Sequence, residues 1–193
     1  MLKDHLKCNR IILGSGSPRR QELLKQLEIP FEIRVKPITE NYSNSLKRHQ
    51  ISDYLAQLKA VAFEGELNQG EILITSDTIV WHQNKALGKP SSLFDAKKML
   101  QQLSGSKHEV ITSICFTSVQ KQLLVNASTK VYFRNLNQQE IEYYVSNYNS
   151  LDKAGAYGIQ DWIGQIGIEK IKGSYYNVMG FPLNLVYSTL LKF

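Results

Sequence analysis

Only two cysteines, Cys8 and Cys115, occur in this chain of 193 residues. They form no CxxC pair and no Cys/His cluster, so neither a disulfide scaffold nor a structural zinc site is expected. Each lies next to or within an apolar stretch, and reduced thiols are their natural state. No apolar run approaches membrane-spanning length. The segment Met1 to Arg10 is polar and charged, and the apolar run after it is too short for a signal peptide, so a cytoplasmic protein is expected. Internal repeats, low-complexity tracts and Pro/Gly-rich linkers are also missing. No Gly-Lys-Ser/Thr follows at the spacing of a Walker phosphate loop. Gly14-Ser15-Gly16 lacks the third glycine of a dinucleotide fingerprint.

What is present is ordinary for a globular protein: 42% hydrophobic and 21% charged residues, enough for one substantial core or two small lobes. The net charge of +6 fits an anionic partner, and equally a basic surface kept for solubility. The basic residues are scattered and interleave with no aromatic stacking motif. A nucleic-acid-binding module is therefore not expected, despite ten tyrosines.

Hydrophobic periodicity mixes helices and strands throughout. Ile11-Ile12-Leu13 reads as a strand, followed by the loop Ser15-Gly16-Ser17 and a helix through Leu27, with Ser17 as N-cap and Pro18 at the first helical position. Phe31 to Val35 alternates as a half-buried strand does. Ser52 is expected to cap a helix reaching about Leu67. Glu71 to Thr75 reads as a buried strand, with Ser76-Asp77-Thr78 following its end. Ile79 to His82 and Lys85 to Leu87 suggest a hairpin. A helix around Ala96 to Leu103 is ended by Gly105. Two long strands follow, Val110 to Thr117 and Leu123 to Phe133. Asn137-x-x-Glu140 has capping-box character. Ile166 to Ile171 reads as a strand, and Pro182 opens a last helix. Interleaved helices and hairpins imply a mixed sheet. A break near 104–107 divides two lobes.

Several residues could carry chemistry. The loop Ser15 to Arg20 points backbone N–H groups, a positive helix end and two guanidinium groups at one small volume, which suits phosphate. A plainly capped helix start with exposed arginines is the competing reading. Asp77, after a buried strand, can hold a metal or take a proton, or can be a turn residue. Glu40 is an isolated loop carboxylate. Lys59 and Lys89 read as solvated unless a phosphate-cleaving site needs their charge. His108 reads as structural. Asp152-Lys153-Ala154-Gly155-Ala156-Tyr157-Gly158-Ile159-Gln160 combines small residues, which permit close backbone approach, with an amide that can read a base edge.

Taken in order, these segments resemble the Maf proteins, which are nucleoside triphosphate pyrophosphatases. The resemblance rests on Ser15-x-Ser17-Pro18-Arg19-Arg20-x-x-Leu23-Leu24, Asp77-Thr78-x-Val80, Leu87-Gly88-Lys89-Pro90, Ser104-Gly105 and His108-x-Val110-x-Thr112. It continues through Asp152 to Gln160 and Gly173-Ser174-Tyr175-Tyr176-Asn177-Val178-Met179-Gly180-x-Pro182, covering essentially the whole chain. It implies a single domain over residues 1–193: a mixed, elongated α/β sheet flanked by helices, with two lobes around a cleft, similar to inosine triphosphate pyrophosphatases. The implied reaction cleaves a nucleotide between its α and β phosphates.

By the same resemblance, Asp77 matches the proton acceptor. Glu40 and Asp77 match ligands of a divalent cation, Mg²⁺ or Mn²⁺. Lys59 and Lys89, with Arg20 alongside, match positions tied to catalysis or to phosphate binding, and the N–H groups of Ser15 and Ser17 are expected to hold phosphate with them. The branch acting on dTTP and UTP carries Arg, Thr and Gln at its specificity positions, here Arg19, Thr78 and Gln160. The branch associated with 7-methyl-GTP carries Trp at the first of these. The expected partner is thus a nucleoside triphosphate, not nucleic acid or membrane, and homodimers are common among such proteins. Alternatives are a pyrophosphatase for purine or modified nucleotides and a cell-division regulator acting by protein contact. One departure stands out: the family usually has Gly after the Gln, whereas this chain has Asp161. If that glycine needs positive φ, Asp is a tolerated substitute, and its carboxylate near the base pocket is expected to alter nucleobase preference or metal affinity.

Overall fold

A computed structural model describes the whole chain, Met1–Phe193. Seven strands form one mixed sheet, in the spatial order β2-β1-β3-β5-β6-β7, with β4 pairing on β3. They are β1 (Arg10–Leu13), β2 (Phe31–Ile33), β3 (Glu71–His82), β4 (Lys85–Leu87), β5 (Lys107–Thr117), β6 (Gln122–Phe133) and β7 (Ile168–Lys172). The helices are α1 (Leu2–His5), α2 (Pro18–Lys25), α3 (His49–Val61), α4 (Leu93–Leu103), α5 (Gln138–Asn147), α6 (Trp162–Gly167), α7 (Tyr175–Val178) and α8 (Leu183–Leu190). The expected mixed sheet flanked by helices is what is found.

The connections explain the mixture. β1 is parallel to both β2 and β3, because helical crossovers through α2 and α3 return the chain to the same end of the sheet. β3 and β4 are antiparallel and joined by Gln83-Asn84, both at positive φ (45° and 61°), as a tight two-residue hairpin requires. The later strands are antiparallel neighbours in chain order.

Alternation along β1 feeds two cores. Ile11 and Leu13 join a cluster with Leu23, Leu24, Phe116, Phe181 and Val186. Ile12 points to the other face, against Ala56, Ala60, Leu73 and Cys115 beneath α3. A further cluster, around Leu100, Val131, Phe133, Tyr144 and Ile163, joins α4, α5 and α6 to the far half of the sheet. Each such Leu, Ile or Phe contributes roughly 1.5–3 kcal/mol by leaving water. β3 serves both halves: Ile72 and Ile74 lie in the first cluster and Val80 in the last.

Several local expectations need correction. Ser76-Asp77-Thr78 does not follow a strand end; β3 runs unbroken through it, and Asp77 pairs in register with Ser113 of β5. Small polar residues resemble a turn in sequence, but here the β5 ladder satisfies the backbone groups on one edge of them. Ser52 caps nothing. It lies inside α3, buried, with its hydroxyl 2.7 Å from that of Ser113, while the helix begins at His49 after Arg48 at φ 53° and ends at Val61 rather than Leu67. Ser17 occupies the N-cap of α2, but its side chain makes no capping bond. The strand expected over 31–35 stops at Ile33, and α6 takes the first residues of the one expected at Ile166. The capping box at Asn137 and Glu140 is formed as expected.

Gly155 is a strained, tightly packed point of the small-residue run. It adopts φ +69°, and a Cβ there would meet the Val80 side chain at 2.9 Å. Its N–H donates to the Gly88 carbonyl at 3.0 Å, tying this loop to the exit of β4. Gly155→Ala should lower stability by roughly 1–3 kcal/mol from backbone strain and overlap, read as a lower urea midpoint at unchanged slope.

Candidate active site

The local geometry of β3 makes the site. β1 pairs with it only as far as Ile74, and β4 pairs only from Val80 onward. Between them one edge of β3 is open, over the polar triplet Ser76-Asp77-Thr78. A cleft of about 690 Å³ opens beside it, in the size range of small-ligand sites. The ten residues expected to bind or cleave the substrate all line this cleft: Ser15, Ser17, Arg19, Arg20, Glu40, Lys59, Asp77, Thr78, Lys89 and Gln160.

Arg20, on α2, closes the open edge. Its Nη1 donates to the Ser76 carbonyl at 2.8 Å and to Ser15 Oγ at 3.4 Å. Its Nη2 donates to Thr78 Oγ1 at 3.1 Å, and its Nε to the Gly180 carbonyl at 3.1 Å. Burial pulls the Arg20 guanidinium below its usual value, against the opposing influence of Asp77; a guanidinium stays charged even so. Arg20 is thus a fixed positive charge in the wall. The Thr78 hydroxyl is engaged on the same side, 3.0 Å from Thr112 Oγ1.

Asp77 alternates to the opposite face of β3, toward α3. Lys59 of that helix donates to Asp77 Oδ1 at 2.6 Å and pairs with Glu40 Oε1 at 2.9 Å. One ammonium therefore gathers a strand carboxylate and a loop carboxylate. The two respond differently. Burial raises Asp77 above the ordinary carboxylate range, only partly offset by Lys59 and Arg20. Glu40 is also penalised by burial, but Lys59, Lys89 and Arg20 outweigh that and hold it low. Lys89, at the exit of β4, lines the cleft without an ion-pair partner. No cluster of three or more His, Cys, Asp or Glu side chains with metal-binding geometry occurs anywhere in the chain.

Arg19 turns away from Arg20 and crosses the cleft, donating from Nη1 to Asp152 Oδ2 at 2.9 Å and from Nη2 to the Asp152 carbonyl at 3.2 Å. Gln160 lies on that far wall, with its buried side-chain oxygen lacking any hydrogen-bond partner. Two contributors were not singled out in the sequence: the Gly180 carbonyl, which receives Arg20, and Asp152 as partner of Arg19. Asp152 was visible as half of a charge pair beside small residues, but its partner lies 133 residues away. A main-chain carbonyl leaves no sequence signal. Asp161 is extended, at φ −78°, so no left-handed conformation is required there. Its carboxylate lies outside the cleft and faces Tyr144 and Lys153.

Comparison with known proteins fits this geometry. A family model described as Maf-like protein matches residues 10–193. The chain is 55% identical over 190 residues to the dTTP/UTP pyrophosphatase of Christiangramia forsetii, covering 98% of this chain and 97% of that protein. It is 54% identical over 190 residues to the dTTP/UTP pyrophosphatase of Flavobacterium johnsoniae, covering 98% of each. Among solved structures, the Ham1 protein of Staphylococcus aureus aligns over 94% of this chain and 98% of its own, with a TM-score of 0.53 at 12% identity, a likeness of fold.

The pairing of Asp77 with Lys59 has a titratable consequence. In the metal-free protein, carboxyl carbon NMR should place the Asp77 midpoint above that of an ordinary aspartate. Lys59→Met removes the nearest stabiliser of the anion and should move that midpoint further up; an unchanged midpoint would refute the coupling.

Proposed function

The chain belongs to the Maf family, and from that premise we propose that it is a nucleoside triphosphate pyrophosphatase hydrolysing dTTP and UTP to the monophosphate and diphosphate. The observation that carries this reading is the buried Asp77 carboxylate, 2.6 Å from Lys59, on the open edge of β3 in a cleft walled by arginine and lysine. The names of the relatives supply the substrate class.

In this reading Asp77 takes the proton of a water that attacks the α-phosphorus. The bond from that phosphorus to the bridging oxygen breaks, and its electron pair leaves with the diphosphate. Lys59 keeps Asp77 ionised despite its burial, and a base lifted above the usual carboxylate range is the better acceptor. Arg20 offers preorganised charge, because its donors are already fixed on protein acceptors. Lys89 and the N–H groups of Ser15 and Ser17 hold phosphate oxygens.

A divalent cation, Mg²⁺ or Mn²⁺, would neutralise phosphate charge and polarise the reacting phosphoryl group when bound. Glu40 and Asp77 are the residues to hold it. They fit a hard cation, since both carboxylates converge on the single Lys59 ammonium. With no third acidic partner, its remaining ligands would have to come from the substrate and water.

Base selection falls to Arg19, Thr78 and Gln160. The unpartnered oxygen of Gln160 can accept from the N3–H of uracil or thymine while its NH₂ donates to a ring carbonyl. Cytosine offers no N3–H, and leaving a buried acceptor unpaired is costly. Thr78 acts through the wall it forms with Arg20 and Thr112. Residues 1–193 act as one domain. A cytoplasmic setting accords with the free thiols of Cys8 and Cys115, and no helix is long and apolar enough to cross a membrane.

A panel of dTTP, UTP, CTP, GTP and 7-methyl-GTP, with Mg²⁺ or Mn²⁺ and diphosphate release as readout, tests the activity. We expect dTTP and UTP to lead CTP by roughly 100-fold in kcat/KM; preference for 7-methyl-GTP would overturn the branch. Asp77→Asn should lower kcat by about 100- to 10,000-fold with an unchanged circular dichroism spectrum. Near-normal turnover in that variant removes Asp77 from its role.

A further inference from the structure

Asp161 occupies a position outside the cleft from which it reaches both sides of the base-selecting wall. It begins α6, but its side chain does not cap that helix. Instead Oδ2 accepts from the Tyr144 hydroxyl at 2.7 Å and pairs with Lys153 Nζ at 3.5 Å. Both partners are buried, Tyr144 completely.

Each partner leads to a residue of the cleft. The Tyr144 hydroxyl accepts from the Gly158 N–H at 3.2 Å, two residues before Gln160. Gly158 must be glycine for this, because a Cβ there would meet Asp161 Oδ2 at 2.6 Å. On the other arm, Lys153 Nζ donates to the Asn149 carbonyl and to Asp152 Oδ1 at 2.9 Å. That leaves Asp152 Oδ2 for Arg19 at 2.9 Å. Burial works against the Asp152 charge, but Lys153 and Arg19 outweigh it and keep its carboxyl ionised.

We propose that Asp161 is a positioning residue for nucleobase selection, fixing the Gln160 backbone through Tyr144 and Gly158, and the Arg19 guanidinium through Lys153 and Asp152. The inference rests on the reading of Arg19 and Gln160 as base-selecting residues. Gln160 makes the argument specific. Its side-chain oxygen has no protein partner to orient it, so its aim depends on the backbone that Tyr144 holds. Lys153 makes the second arm specific. Without Asp161 its buried ammonium keeps one carboxylate, that of Asp152, and competes for it with Arg19. A glycine at this position supplies neither acceptor nor charge.

The test measures kcat and KM for dTTP, UTP and CTP, with inhibition by inorganic tripolyphosphate, in wild type, Asp161→Ala and Asp161→Asn. Arg19→Ala and Gln160→Ala serve as references. Asp161→Asn retains an acceptor for Tyr144 while losing the charge that holds Lys153, and it carries the test if the alanine variant fails to fold. In Asp161→Ala the KM for dTTP and UTP should rise about 10-fold, with kcat within about 2-fold. Discrimination against CTP should narrow, and tripolyphosphate inhibition should stay unchanged. Asp161→Asn should show a smaller loss of the same kind. Wild-type KM and discrimination in both Asp161 variants, while Arg19→Ala and Gln160→Ala lose discrimination, would overturn the inference alone. A uniform loss that includes tripolyphosphate inhibition would mark a merely structural role and overturn it too. Retained discrimination in Arg19→Ala and Gln160→Ala would instead remove the base-selection reading, and this inference with it.

Discussion

The unpaired edge of β3 is the constraint around which the rest of the site is arranged. A central strand that loses its neighbour exposes backbone acceptors that cannot stay buried without partners. β1 stops pairing at Ile74 and β4 begins at Val80, so the gap needs another donor. Arg20 supplies it, with Nη1 on the Ser76 carbonyl at 2.8 Å. The same guanidinium fixes Thr78 and Gly180, which join α2, β3 and the turn before α8. A backbone deficit thereby becomes a fixed positive charge beside a cleft.

Period-two alternation then sorts the triplet. Thr78 faces Arg20, and Asp77 faces α3, where Lys59 waits. Burial alone would drive Asp77 toward its neutral form, and Lys59 alone would hold it ionised; the balance leaves it raised above the ordinary value. Lys59 is shared with Glu40, whose side chain is 48% exposed. The exposed member contributes little to stability, as exposed ion pairs do. The Lys59–Asp77 pair is different: removing one partner from a buried pair costs about 3–5 kcal/mol by stranding the other. The arrangement is held by the buried contact and left adjustable at the exposed one.

Much of this could be read from the amino-acid pattern. The apolar run of β1, the two long strands β5 and β6, the box at Asn137 and Glu140, and the turn residues Gln83-Asn84 each state a local preference that the tertiary structure keeps. The site residues were legible because their motifs occur in order along the whole chain. What was not legible depends on distant partners. Ser76-Asp77-Thr78 has the composition of a turn and becomes strand because β5 pairs with it over its full length. Ser52 has the composition of a cap and becomes a buried helix residue because Ser113 meets its hydroxyl. Asp161 invited a question about φ, yet its backbone is unremarkable and its side chain is the informative part.

Arg19 and Arg20 show how adjacent residues of one type acquire different work. Successive helix positions project about 100° apart, so two neighbours on the first turn of α2 cannot face the same wall. Arg20 is turned onto β3 and has its donors consumed there. Arg19 is turned across the opening, 25% exposed, onto a carboxylate of the opposite wall. Arg20 therefore cannot move without exposing the β3 edge, whereas Arg19, anchored on Asp152 by one N–H of each Nη, keeps its other N–H groups for a ligand acceptor. A residue that reads a substrate needs donors in reserve, and a residue that supplies fixed charge does not. The difference between them follows from one step along a helix placed beside an open strand.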